Sequence, residues 1–287
     1  MTNAVVQGVL LGGLYALFAA GLSLVFGVMR IVNLAHGDLA VLAAFIAFVL
    51  VDSAGFSPFL TLIVVVPAMA LAGYALQRGL LNRTLERGPL PPLLATFGLS
   101  VVLQNALQEG FSADARGLDA GSIENASISL GGDVNIGWLP LVTLILGAAV
   151  ILGMSVLLYR TQIGRGFRAV SDDPEVAEIV GIDQRKVYAV ATAIALATVG
   201  IAGVLLGIRT TFNPTDGSAQ LIFAFEAVII GGLGNLWGTL VGGIVLGVAQ
   251  TVGAELDPQY GILAGHLVFL AVLVLRPTGL FPKGALA

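Results

Sequence analysis

The fold class this sequence predicts is an all-α integral membrane protein, a polytopic bundle of about eight spanning helices. Three observations predict it. Of its 287 residues, 57% are hydrophobic and only 10% charged, whereas a soluble domain carries about 25% charged residues; so few charges cannot cover a surface that faces water. The apolar residues also form continuous runs. Val5–Val28 holds no charge at all, and several later runs approach the roughly 20 residues that cross a bilayer as a helix. Lastly, these runs do not alternate with a period of two, so helices rather than a barrel are indicated.

In chain order the spans are expected at 5–28, 38–51, 59–77, 91–109, 139–159 and 187–208, then a broken or re-entrant region at 221–251, and 260–275. All of 1–287 reads as a single transmembrane domain. MTNAVVQGVLLGG lacks the basic region of a signal peptide, so it is expected to open the first membrane helix. Orientation follows from Lys and Arg, which favour cytoplasmic loops. Arg78, Arg83 and Arg87 follow the third span; Arg160, Arg165, Arg168, Arg185 and Lys186 flank a polar loop at 160–186; Arg276 and Lys283 sit near the C-terminus. The loop 110–138 has Asp114, Asp119, Glu124 and Asp133, with Glu109 just before it, against Arg116 alone, and is expected outside. Counting back places Arg30 inside and the N-terminus outside. Counting forward fails if 221–251 is one span. FEAVIIGGLGNLWGTLVGG breaks at its glycines, and a hairpin entering and leaving on one side, or two short spans, restores the parity. The pairs Gly8/Gly12, Gly203/Gly207, Gly238/Gly242 and Gly243/Gly247 have GxxxG spacing, which suits close helix packing in lipid.

Residues 165–187, RGFRAVSDDPEVAEIVGIDQRKV, are the most charged stretch of the chain. They specify a short helix. Asp173 is placed to cap its free N–H groups, Pro174 fits the first helical position and Glu175 suits the positive end of the dipole. Gly181 is placed to end it in a left-handed conformation, with Ile182 supplying the accompanying apolar contact. Val176, Ile179 and Val180 then share one face, with Glu175 and Glu178 elsewhere. So short a helix does not hold alone in water, so the apolar face is expected to rest either on the protein's own surface or on a soluble partner.

The stretch RGFRAVSDDPEVAEIVGID resembles the cytoplasmic coupling loop of ABC importer permeases, specifically the branched-chain amino-acid permease family. VFGVMRIVNLAHGDLAVLAAF (25–45) is similar to that family's N-terminal signature and FEAVIIGGLGNLWGTLVGGIVLG (225–247) to its C-terminal one. The resemblance implies a multi-pass permease subunit of the bacterial inner membrane, taking branched-chain amino acids (Leu, Ile, Val) from a periplasmic binding protein. It also implies a second, homologous permease subunit and two cytoplasmic ATPase subunits, with Arg168, Asp172, Asp173, Pro174, Glu175, Glu178 and Gly181 as the ATPase-coupling loop. No GxxxxGK[ST] occurs, and Lys stands only at 186 and 283. No cofactor is therefore expected in this chain, ATP and Mg²⁺ falling to the partner ATPases, and no catalysis. Relatives in the family are assigned to urea or short amides, and the sequence leaves that alternative open.

Asn33, His36, Asp38, Glu226 and Asn235 are the candidates for a translocation path or gate. Glu226 is costly in lipid as an ion, so it is expected either between helices, protonated or hydrogen-bonded, or on the path. Asp38 is expected to cap the second helix or to touch substrate, and Asn235 to satisfy broken backbone. Gln104 and Asn105 are expected to bond between helices and Arg209 to snorkel to the surface. With no cysteine and one other histidine, His266, no metal site is expected. A net charge of −4 gives no reason to expect nucleic acid. The loop 110–138, β-like at ENASISLGGDVNI, is either a binding-protein contact or a passive outer loop. A stand-alone ion-coupled transporter using Glu226 is the rival function; it leaves the capped cytoplasmic helix unused. An intramembrane enzyme is opposed by the residue types present.

Overall fold

The protein, seen in a computed structural model, is described over residues 1–85, 88, 90–129 and 135–281. Arg87, Asp133 and Lys283, which enter the orientation argument, lie outside the described residues. The chain runs through α1 (Thr2–Met29), α2 (His36–Ala54) and α3 (Pro58–Leu76), which continues by a π-helical turn at Gln77–Leu81 into α4 (Asn82–Leu85), and then α5 (Leu90–Phe111). The outer loop holds α6 (Ser122–Asn125) and an antiparallel hairpin of β1 (Ser127–Ser129) and β2 (Asn135–Gly137), in register Ile128 to Ile136. Next come α7 (Trp138–Arg160), α8 (Gln162–Asp172) and α9 (Pro174–Ile179). The chain then forms α10 (Gln184–Arg209), α11 (Gly217–Gly231), α12 (Leu236–Leu256) and α13 (Tyr260–Leu275). Among the described residues seven helices are long and apolar enough to cross a membrane, α11 and α13 being shorter apolar helices.

Glycine decides how the helices meet. Gly8 and Gly12 of α1 face Val248 and Ile244 of α12, while Gly243 and Gly247 of α12 face Ala16 and the Gly8 carbonyl of α1. At each point backbone lies where a Cβ would go, so α1 and α12 touch main chain to main chain. In the same way Gly242 sits on Ala227 of α11 and Gly203 on Ala40 of α2. Of the two remaining members of the GxxxG pairs, Gly238 sits on the Gly231 carbonyl of α11, and Gly207 packs instead on Leu118 of the outer loop and on Phe212.

The helix ends sort by charge. Arg30 reaches the Ser171 carbonyl, Asn82 donates to the Arg185 carbonyl, and Gly234 lies on Gly27. The C-terminus of α1, α4, the end of α8 and the starts of α10 and α12 therefore share one end, and Arg160, Arg165 and Lys186 lie beside them. At the other end Met1 pairs with Glu255, Gln7 donates to the Asn135 carbonyl, and Arg116 and Phe212 exchange backbone hydrogen bonds. The basic end is the cytoplasmic one by the charge rule.

The region 221–251 breaks at its glycines, as the sequence suggests, into two segments. Gly232–Asn235 is a tight turn at the basic end between α11 and α12, with Leu280 N–H bonded to the Ile230 carbonyl alongside. A second irregular stretch, which the sequence does not mark, comes earlier, at 210–216, and returns from the outer end before α11 starts. Two segments thus restore the parity, and the first begins at Gly217. The same device occurs at 30–35. His36 Nε2 donates to the Phe18 carbonyl at 2.8 Å, 11 residues before the end of α1 and so about 17 Å along it. Both α2 and α11 therefore start inside the protein.

These two returns reveal an internal inverted repeat. In α1, α2, α3 and α5, a buried helix is followed by a return, an internally starting helix, a long helix and a peripheral one; α10, α11, α12 and α13 repeat the order in the opposite direction. The packing follows: α1 lies on α12 and α11 as α10 lies on α3 and α2.

Gly247→Leu should strain the α1–α12 seam and cost about 1–3 kcal/mol, lowering the melting temperature of the detergent-purified chain. Gly98→Ala, where a Cβ meets open space, should leave it unchanged. Equal melting of the two variants would remove this seam as the centre of the bundle.

Candidate functional site

The chemistry of the chain gathers at two places. One is the interior junction where α2 and α11 begin. Asn33 Oδ1 accepts from Ala35 N–H at 3.0 Å and Leu34 N–H donates to Thr96 Oγ1 of α5 at 3.1 Å, so side chains of the protein satisfy two of the N–H groups of the irregular backbone. Asp38 does not cap α2: helix entry is at Ala35 with no side-chain cap, and the turn-making bond belongs to Asn33. Asp38 is buried one turn later and accepts from Gln104 Nε2 at 2.9 Å. Its side chain lies against the backbone of Gly217, the first residue of α11. Gln104 thus bonds between helices as expected, whereas Asn105 donates to Val101 of its own helix.

Glu226 lies apart from that junction, nine residues along α11. It is buried, and its Oε1 shares a 2.5 Å hydrogen bond with His266 Nδ1 of α13. Phe223 stacks beside His266, and Tyr15 of α1 lies against Phe223, with ring centroids 6.2 and 5.2 Å apart. Tyr15 in turn donates to Gln250 Oε1 of α12 at 2.5 Å. Two polar pairs joined by the Phe223 ring therefore tie α12, α1, α11 and α13. They end in two buried polar atoms without a partner among the described residues, Glu226 Oε2 and Gln250 Nε2. Arg209 does not snorkel freely, since its Nη1 is also buried and unpartnered. Asn235 stands at the cytoplasmic turn, where Oδ1 caps α12 by accepting from Gly238 N–H at 2.9 Å. Among the described residues no cluster of His, Asp and Glu is arranged to hold a metal ion.

Glu226 and His266 stand out in the sequence as polar residues on apolar helices, whereas Tyr15 and Gln250 carry no signal there that marks them for this site. That Glu226 would meet His266 depends on how α11 lies against α13, which residue spacing does not encode.

The second place is the cytoplasmic segment. Asp173 Oδ1 accepts from Glu175 and Val176 N–H, both at 3.0 Å, with Pro174 at the first helical position of α9. Gly181 ends the turn at φ +87°, and Ile182 N–H reaches back to the Ala177 carbonyl at 2.9 Å. Only Ala177 of α9 is buried. Val176, Ile179 and Val180 are 53, 84 and 69% exposed, so the apolar face does not rest on the protein's own surface, the first of its two expected supports.

The preceding α8 is a helix that the punctuation at 173–181 does not announce. It buries Phe167 and Val170, and Arg168 donates to the Leu158 carbonyl while its guanidinium lies 5.6 Å from the Tyr159 ring. Asp172 is its last residue. Ser171 Oγ donates to the Gly27 carbonyl of α1 at 2.7 Å, so the segment is fastened to the first span. Beyond α9, Gln184 donates to Glu178 at 3.4 Å. Asp183 caps α10, and its carboxyl is held below the usual range chiefly by the Lys186 N–H it accepts.

A family model described as branched-chain amino acid transport system / permease component matches residues 4–275. The chain belongs to this family. Among similar members, the high-affinity branched-chain amino acid transport system permease protein BraD of Pseudomonas aeruginosa is 29% identical, over 97% of this chain and 94% of its own. LivH of Escherichia coli, named for a high-affinity system of the same kind, is 29% identical over 96% and 94%. LivM, also of Escherichia coli and named for that system, is 28% identical over 50% of this chain and 34% of its own. No solved structure matches the chain. As a member of this permease family the chain is a multi-pass membrane transport component, and its three motif segments fall at the α1–α2 return, the α8–α9 segment and the α11–α12 turn.

Asp173→Ala should cost about 1 kcal/mol of local stability, and Gly181→Val about 1–3 kcal/mol for a branched residue in the left-handed region. Both should speed hydrogen exchange of amides 175–182 while leaving the spans protected. Unchanged exchange in Gly181→Val would show that the cap is not needed.

Proposed function

We propose that this chain is the transmembrane permease subunit of an ATP-binding-cassette importer in the bacterial inner membrane. It pairs with a second, homologous permease and passes branched-chain amino acids (Leu, Ile, Val) delivered by a periplasmic binding protein. Two cytoplasmic ATPase subunits, which hold the ATP and Mg²⁺, drive it, and this chain is not itself an enzyme.

The observation that carries the proposal is the capped helix α9 with its bare apolar face at the basic end. A membrane protein gains nothing in isolation from a rigid, exposed Val176–Ile179–Val180 face, which is the form a docking element takes. Its fastening to α1 by Ser171 and to α10 through Ile182 and Asp183 turns a push on α9 into movement of two spans. The names BraD, LivH and LivM support the substrate class, and the LivH–LivM pair in one organism's system supports a second permease. A zwitterion with an apolar tail suits an interior with few charges; the free oxygen of Glu226 is a point where an ammonium group can be met on the way.

Ile179→Asp should reduce co-purification of the ATPase subunits from native membranes about ten-fold or more, with membrane insertion intact. Glu175→Lys with Glu178→Lys should lower ATP-driven uptake of labelled leucine in the same way. Glu226→Gln should slow uptake while ATPase binding persists. Leucine uptake that continues after ATP depletion and stops in Glu226→Gln would instead assign the chain as an ion-coupled transporter. Labelled urea carried in place of leucine would reassign the substrate alone.

A further inference from the structure

Between α8 and the first two turns of α10 lies an open groove of about 640 Å³. Its walls are apolar, formed by Ile163, Phe167, Val187 and Val190, and the exposed Arg165 and Lys186 edge it. We propose that this groove holds an anionic phospholipid, its phosphate at Arg165 and Lys186 and an acyl chain along the apolar wall.

Position, charge and shape argue for a lipid. α7 ends at Arg160, and the groove begins two residues later at Gln162, which is headgroup depth on the cytoplasmic side. Val190 is six residues beyond the first of α10, about 9 Å into the span, so the apolar wall continues toward the hydrocarbon. The Arg165 guanidinium has no side-chain or carbonyl partner among the described residues. Lys186 pairs with Asp183 at 3.3 Å, yet its side chain is 67% exposed and its ammonium keeps further donors. Asp183 offsets much of the lysine charge, so Arg165 supplies the net attraction. Basic residues beside an apolar cleft at the cytoplasmic surface recognise anionic headgroups in this manner.

The groove also touches Ile182, whose N–H closes the end of α9. A lipid seated there braces the joint between α9 and α10 and so adjusts ATPase coupling. That consequence rests on the function proposed above; the binding itself does not.

The test is native mass spectrometry of the transporter purified with all of its subunits, offered phosphatidylglycerol or phosphatidylcholine of the same acyl chains. Preferential retention of phosphatidylglycerol is expected. Arg165→Gln should weaken it about five-fold, the effect of one surface charge. Gly166→Leu should also displace it without changing charge, since a Cβ there lies 3.7 Å from Val187 and a larger side chain fills the groove. Equal retention of the two lipids overturns the proposal, as does wild-type retention by Arg165→Gln. Binding by the lone chain that is lost once the ATPases assemble overturns it too, by making the groove part of the protein interface. With lipid bound but uptake in Arg165→Gln unchanged, the brace on coupling falls and the lipid site stands.

Discussion

A bilayer interior offers no water to a free N–H or C=O, so backbone there must be helical or find its partners within the protein. The layout of this chain depends on how that constraint is met at two non-helical returns. At 30–35, Thr96 and Asn33 accept from the Leu34 and Ala35 N–H groups, and the His36 side chain ties the return to the Phe18 carbonyl. At 210–216, Arg116 and Phe212 exchange backbone bonds, and Asn213 and Asp216 bond to each other within the segment. With these bonds holding both returns, α2 and α11 begin inside the protein, and their first turns meet there at Gly37, Asp38 and Gly217.

Close approach is the second half of the same solution. Apolar side chains gain little from leaving lipid for one another, so helix association leans on dispersion contacts between backbones brought together by small residues. The seam of Gly8, Gly12, Gly243 and Gly247 supplies these contacts between α1 and α12, and Gly203 supplies them between α10 and α2. The two buried helices α1 and α10 thereby become the frame on which the irregular segments are hung.

What the sequence disclosed divides along the range of the interactions. Span positions were legible to within a few residues because hydropathy is local, and so was the cap at Asp173–Pro174, because N-capping needs only neighbours. The returns were not. Residues 30–35 read only as the junction of the first two spans, since nothing in RIVNLA says that His36 will reach a carbonyl halfway along α1. The glycines of GGLG marked the break correctly, but a re-entrant hairpin and a turn between two segments require the same residues, so the residues alone left both open. The candidate site was legible as polar marks and not as pairs, because Asp38–Gln104 and Glu226–His266 each join elements far apart in sequence. The bare face of α9 lay between two expected supports, and only the packing around Ala177 chose against the first.

A lever is useful only if the part it moves is connected to the part that must open. Here the connection can be followed through rigid contacts. Under the proposed function a push on α9 would bear on α10 through the Ile182–Asp183 joint, and α10 carries Gly203, which lies directly on the Ala40 carbonyl of α2. Two residues before Ala40 on the same helix is Asp38, against the start of α11. The same push would bear on α1 through Ser171 and Gly27, and α1 carries Phe18, which holds His36. Both routes end on the interior starts of α2 and α11, where neither element has a full turn of helix preceding it to resist displacement. The inverted repeat gives this geometry its use. α2 runs from the junction to the outer end and α11 from the junction to the basic end, so a shift of their common start moves elements on opposite sides of the membrane together.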